Sequence, residues 1–170
     1  MDADLVIASK REVRRYADRP IDEDAVHRIL EAGRVAGSSR NRQARRFIVL
    51  RDRAVVERAA KAVWTPQNVL GAALVVAIVT GGKGPTSFDA GRAAQNMMLA
   101  AWNEGIGSSP NGIADREAMS EAVRHGADEQ VTIVLSFGYP PRPTDPARRS
   151  AEEWISRADR LPFGQVVEFR

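Results

Sequence analysis

Cysteine is absent from the 170 residues, which removes disulfide frameworks, thiolate metal sites and cysteine nucleophiles together. Histidine is nearly absent: His27 and His125 are the only 2, too far apart in sequence to suggest a histidine metal cluster or a phosphorelay. No metal site is expected. Long apolar runs are missing as well. The longest, residues 72–79, is a strand's length and too short to cross a bilayer. Residues 1–10 hold two acids and no long apolar run, so neither a signal peptide nor an anchor is expected, and the default compartment is the cytoplasm. No GxGxxG follows a strand, and neither a GxxxxGK[ST] loop nor a GxSxG elbow occurs. Lysine is scarce: Lys10, Lys61 and Lys83 stand against 22 arginines among the 25 basic residues.

What is present suits one packed domain. Hydrophobic residues make up 44% and charged residues 28%, so a core is within reach and disorder is excluded. Residues 22–33 read as a helix, with Asp22 as N-cap and Val26, Ile29, Leu30 and Gly33 on one face. A polar loop, 37–45, leads into the short strand 47–50. Asp52 then caps a helix carrying Val55, Val56, Ala59, Ala60, Val63 and Trp64 on its inner side. Residues 72–80 read as a central strand stopped by Gly81-Gly82. Thr86 and Asp89 form a capping box for a long helix to Glu104, with Ala90, Ala93, Ala94, Met97, Met98, Ala101 and Trp102 as its apolar stripe. A shorter helix, 115–125, the strand 131–137, a capping box at Ser150/Glu153 and an extended 166–169 complete the pattern. Helices and strands intermix without a βαβ beat, which predicts an α+β fold.

Three clusters carry the chemistry. In 10–16, Arg11 and Arg14 are three apart, and on a helical turn they would grip one phosphate from two directions. In 37–43, Ser38, Ser39 and Asn41 offer hydroxyls and an amide in a turn-forming loop. In 104–112, glycines let the main chain through Pro110, Asn111 and Gly112 lie against a flat ring or simply reverse the chain. Eight arginines between Arg34 and Arg58, against Asp52 and Glu57, form a patch suited to a polyanion or a phosphate-bearing cofactor. It lacks interleaved aromatics before Phe47 and any nucleic-acid signature, so a nucleic-acid partner is not expected. The two histidines and the paired carboxylates at 22–24 and 152–153 read as ordinary surface and helix-end residues. No catalytic side chain stands out.

In order and spacing these clusters resemble the flavin-dependent nitroreductase family. The resemblance runs from about residue 9 to 169: Lys10 to Tyr16, Ser38-Ser39-Arg40-Asn41-Arg42-Gln43 before a Phe-Ile-Val strand, Gln95-Asn96 with Gly105-Ile106-Gly107-Ser108, Phe137-Gly138-Tyr139-Pro140, and Arg160-Leu161-Pro162. It implies a nitroreductase-like three-layer sandwich, a central mostly antiparallel sheet between helices, assembled as a homodimer with residues 140–170 packing on the partner. It implies FMN as cofactor, NAD(P)H as donor and a nitroaromatic, quinone or similar acceptor. Arg11 and Arg14 would take the FMN phosphate, joined by Arg160 with Arg157 as a substitute. Ser38, Ser39 and Asn41 would contact the ribityl chain and ring edge, and Pro110, Asn111 and Gly112 would border the ring. The sequence departs from the family pattern at Glu12, in place of a small hydroxyl residue, at Gly37, in place of proline, and at Ala44-Arg45, in place of Pro-Trp. These departures keep open an alternative, a flavin-free or deazaflavin-binding relative acting as a binding or accessory protein.

Overall fold

A computed structural model describes all 170 residues. In chain order its elements are α1 (Ala3–Ser9), α2 (Glu23–Arg34), β1 (Arg45–Leu50), α3 (Arg53–Lys61), α4 (Pro66–Leu70), β2 (Leu74–Gly81), α5 (Thr86–Asn103), β3 (Gly107–Asn111), α6 (Arg116–Val123), β4 (Glu129–Gly138), α7 (Ala151–Ser156) and α8 (Phe163–Val166). They belong to two compact units: Arg11–Thr144, and a smaller one that joins Met1–Lys10 to Asp145–Arg170.

The larger unit is built on a four-stranded sheet of order β1-β2-β4-β3, antiparallel at every pairing. β2 is buried on both faces, which explains its unbroken apolar run. Alternation sends Leu74, Val76 and Ile78 toward α2 and α5, and Val75, Ala77 and Val79 toward a second core with α3 and α6. A β-bulge opposite Ile78/Val79 keeps β4 in step. By simple alternation Val131 would share a face with Ile133 and Leu135; the extra residue turns it to the other core, beside Val134. The result is the α+β sandwich expected, helices on each face of an antiparallel sheet. Each buried Val or Ile contributes about 1.5–3 kcal/mol as an upper estimate.

The helices follow their caps. The Asp22 side chain accepts from Ala25 N–H and Asp115 from Ala118 N–H, each at the start of its helix. The small residues of α5 serve close packing against α2, where a Cβ on Gly33 would lie 2.3 Å from the Met97 methyl carbon. The seven stripe residues of α5 are all buried. Its proposed capping box does not form: the helix begins behind Pro85 without a side-chain cap, because the Asp89 carboxylate is committed elsewhere. Trp64 also departs from expectation. The preceding helix ends at Lys61, the chain turns, and the indole is 76% exposed rather than buried on an inner face.

In the smaller unit α1 and α7 pack together, with Val6 and Trp154 buried. Trp154 Nε1 donates to Pro146 O at 2.8 Å, and the Arg149 guanidinium lies 4.9 Å from its ring centre. The Ser150/Glu153 capping box is present. Residues 166–169 are not wholly extended, since Val166 closes the one-turn α8. No helix is long and apolar enough to cross a membrane.

Candidate functional site

The segment 11–16 is not a helical turn. It runs as an extended strap along the open edge of β3, because that edge offers hydrogen bonds a short charged helix would forgo. Glu12 bridges Ser108 in parallel fashion, Val13 N–H donates to Ser108 O at 2.9 Å, and Ala17 N–H donates to Tyr139 O at 2.8 Å. Two glycines make room. A Cβ on Gly107 would stand 2.5 Å from Val13 Cβ, and one on Gly138 would stand 2.7 Å from Tyr16 Cγ. These glycines face each other across β3 and β4, so strap and sheet end are fitted together. Arg11 is half-buried and Arg14 exposed, and their placement follows from this strap rather than from helical spacing.

Beneath the strap lies a buried polar chain. Tyr16 OH donates to Val13 O at 2.7 Å and lies 2.9 Å from Ser136 Oγ. Burial pushes the Tyr16 phenol up to about 12, so it stays a donor across the physiological range. Asn111 Nδ2 donates to Ser136 Oγ, Ser109 O and Val134 O, while its Oδ1 accepts from Asn68 Nδ2 at 3.0 Å. Asn111 is therefore a buried strut, 3% exposed, and its side chain does not border an open ring site. Pro110 and Gly112, on either side of it, are exposed. Ser108 Oγ is buried without a partner.

The second cluster is held differently. Ser39 N–H donates to the buried carboxylate of Asp89 at 3.0 Å, and Ser38 Oγ accepts from Gln43 N–H at 2.9 Å. Arg40, Asn41 and Gln43 all have φ of 53°, a left-handed conformation costly for side chains other than glycine or asparagine. Three such residues in four positions mark a loop whose shape is imposed by its anchors. Gly37 leaves space taken by Arg92, whose Nη2 would meet an added Cβ at 2.5 Å. Arg45 donates to Ala36 O through Nη2, while its buried Nη1 has no partner. Ser38 and Ser39 are half-buried and Asn41 is exposed.

The two clusters occupy diagonal corners of one sheet. Gly107 pairs with Gly138 at the far end of β4, whereas Arg45 pairs with Thr80, itself opposite Gln130 at the near end. Three strand spacings across and eight residues along separate those corners by roughly 25–30 Å. The 18 residues of α5 span a similar distance, about 27 Å: Asp89 in the first turn holds the loop, and the far end delivers β3. Arg160 lies in the smaller unit, exposed, donating to Ala158 O, and Arg157 is exposed beside it.

The arginine patch is partly neutralised, in part by acids one helical turn away and in part by acids distant in sequence. Arg34, Arg46, Arg51 and Arg53 pair with Glu31, Glu129, Glu23 and Glu57 at 2.6–2.9 Å. His27 is exposed, as expected, and His125 lies just beyond α6. No group of three metal-ligating side chains comes together. Tyr16, Ser136, Asn68 and Asp89 were not among the residues singled out for the site. Only Tyr16 carried a signal, its place in the 10–16 cluster; Ser136 and Asn68 reach its network, and Asp89 reaches the serine-rich loop, through contacts between residues distant in sequence.

The chain matches the Nitroreductase family over residues 7–83 and 85–139. It is 34% identical over 145 residues to a protein of Archaeoglobus fulgidus provisionally named NADH dehydrogenase/NAD(P)H nitroreductase, covering 79% of this chain and 83% of that one. Among solved structures, a protein of Desulfovibrio desulfuricans provisionally named a nitroreductase, in complex with FMN, is similar with a TM-score of 0.84, at 24% identity, covering 100% of this chain and 98% of that one. A nitroreductase family protein from Clostridium difficile gives a TM-score of 0.83 at 21% identity, covering 99% and 98%. With the family model matching residues 7–83 and 85–139 and a relative 34% identical over 145 residues, the chain belongs to the nitroreductase family.

Proposed function

We propose that the protein is an FMN-dependent oxidoreductase that passes electrons from NAD(P)H to a nitro compound, a quinone or a similar small acceptor, and that it works as a homodimer. One observation carries this reading: the two clusters that suit a flavin mononucleotide lie at opposite corners of one sheet, too far apart for a single ligand. A two-fold partner brings the loop of one chain to the strap of the other, giving two equivalent composite sites. The apolar side chains left exposed in the smaller unit, Ile7, Ile155, Leu161, Phe163, Val166 and Phe169, suit the tail's packing on that partner.

The residues present fit the cofactor. Arg11 and Arg14 would hold the phosphate dianion from a backbone fixed by β3. Arg11, Arg14 and Arg15 lie within three positions of the exposed Glu12 in sequence and would offset its repulsion of the phosphate. Ser38, Ser39 and Asn41 meet the ribityl hydroxyls from a loop whose shape is set before the ligand arrives, which limits the ordering cost of binding. Exposed main chain at Pro110 and Gly112 lies along the ring, while Asn111 keeps that stretch rigid from behind. When bound, FMN supplies the two-electron chemistry. The protein's part is to hold and orient, which accords with the lack of any acid–base constellation.

Alanine at both Arg11 and Arg14 is expected to weaken FMN binding about ten- to a hundredfold in a titration, while turnover at saturating FMN is largely kept. Unchanged affinity would remove the phosphate assignment. The flavin-free reading is favoured by one feature, the Arg92 guanidinium filling the space at Gly37. It predicts that Glu12→Ser leaves flavin binding absent, whereas a genuine site tightens when that carboxylate goes.

A further inference from the structure

Trp64 is the one tryptophan of three that is exposed, at 76%, while Trp102 and Trp154 are 3% and 7% exposed. An exposed indole on a flexible loop would call for no explanation. This one is clamped. Trp64 N–H donates to Gly112 O at 3.1 Å, Val63 bridges Ile113, and Ala62 O accepts from both Ala114 and Asp115 N–H. On its other side the chain enters α4 at once through Thr65 and Pro66. The indole rests on the α-carbon of Gly112, where an added Cβ would stand 3.2 Å from Cδ1 and 3.7 Å from Nε1. A rigid aromatic, its backbone N–H bonded to Gly112 O and its indole N–H left for a ligand, thus flanks the exposed Pro110 and Gly112.

We propose that Trp64 is an aromatic wall of the flavin site, its indole lying against the bound ring system beside Gly112. The inference rests on the FMN reading above and adds a residue to it. A flat, conjugated ring is the ligand chemistry such a wall fits, through offset stacking or edge contact and a donor at its rim. Gly112 is then required for two reasons: close approach of the main chain to the ring, and a seat for the indole.

Tryptophan emission tests this without turnover. FMN is titrated into the full-length protein and into Trp64→Phe, with bound flavin measured independently by equilibrium dialysis. In the wild type, bound FMN is expected to quench the exposed component of the emission; in Trp64→Phe most of that quenching is lost. Trp64→Ala is expected to raise the FMN dissociation constant about three- to tenfold. FMN binding with the same quenching in wild type and Trp64→Phe would overturn this inference alone. A wild type that binds no FMN in dialysis would overturn the functional reading and this inference with it.

Discussion

Tyr16 shows how one side chain couples fold to site. Its hydroxyl ties the strap to Val13 O and to Ser136, and its ring fills the space left by Gly138. Because the buried phenol titrates near 12 instead of about 10, the fold retains a proton that the unfolded chain releases. The contribution is complete below pH ~10 and fades as pH rises toward 12, by an order of magnitude of 2–3 kcal/mol in all. Urea unfolding at neutral and alkaline pH should show Tyr16→Phe less stable by about 1–2 kcal/mol at neutrality, with a flatter alkaline decline than the wild type. Equal slopes would mean that another group governs alkaline stability. Gly107→Ala is the companion test, since its Cβ meets Val13 Cβ and Cγ2 at 2.5 and 2.6 Å. It should destabilise by about 1–3 kcal/mol and weaken FMN binding together, because strap and phosphate grip share one backbone.

Among the elements, β1 is tied to β4 partly by charge. Arg46 on β1 makes a bidentate pair with Glu129, which also accepts from Gly126 N–H at the start of β4. The Arg46 guanidinium, seconded by that N–H, holds the Glu129 carboxyl down at about 2. A depressed carboxyl stabilises above its unfolded pKa, and the effect is lost as pH falls toward 2. Thermal melts of wild type and Glu129→Gln should therefore differ at pH 7 and converge near pH 2; a gap that persists in acid would point to packing rather than charge. The helix caps at Asp22 and Asp52 and the stripe of α5 were legible in sequence because they are local patterns. The strap does not form the helical turn considered for it, because two arginines three apart look alike in either state and only β3's open edge decides between them. Asp89 looked like a cap for the same reason: the residue that claims it, Ser39, is fifty positions away. The site was legible as clusters and their order. Asn111's inward turn was not, since it depends on Asn68 and Ser136 from other elements.

For the whole molecule, the diagonal placement of the two clusters makes assembly part of the chemistry. A chain with Arg11 and Arg14 replaced and a chain with Ser38, Ser39 and Asn41 replaced should each hold FMN much more weakly than the wild type, and at low FMN carry little of it. Mixed and allowed to exchange, they should recover it, because a heterodimer carries one intact composite site; no recovery would place both clusters in one chain's site. Sedimentation velocity, recorded at the protein band and at the flavin band in one run, tests the central claim most directly. The account predicts that FMN travels with a species of twice the 18.6 kDa chain mass, at about one flavin per chain. Flavin left behind as a free small molecule, or carried by a single chain, would contradict it.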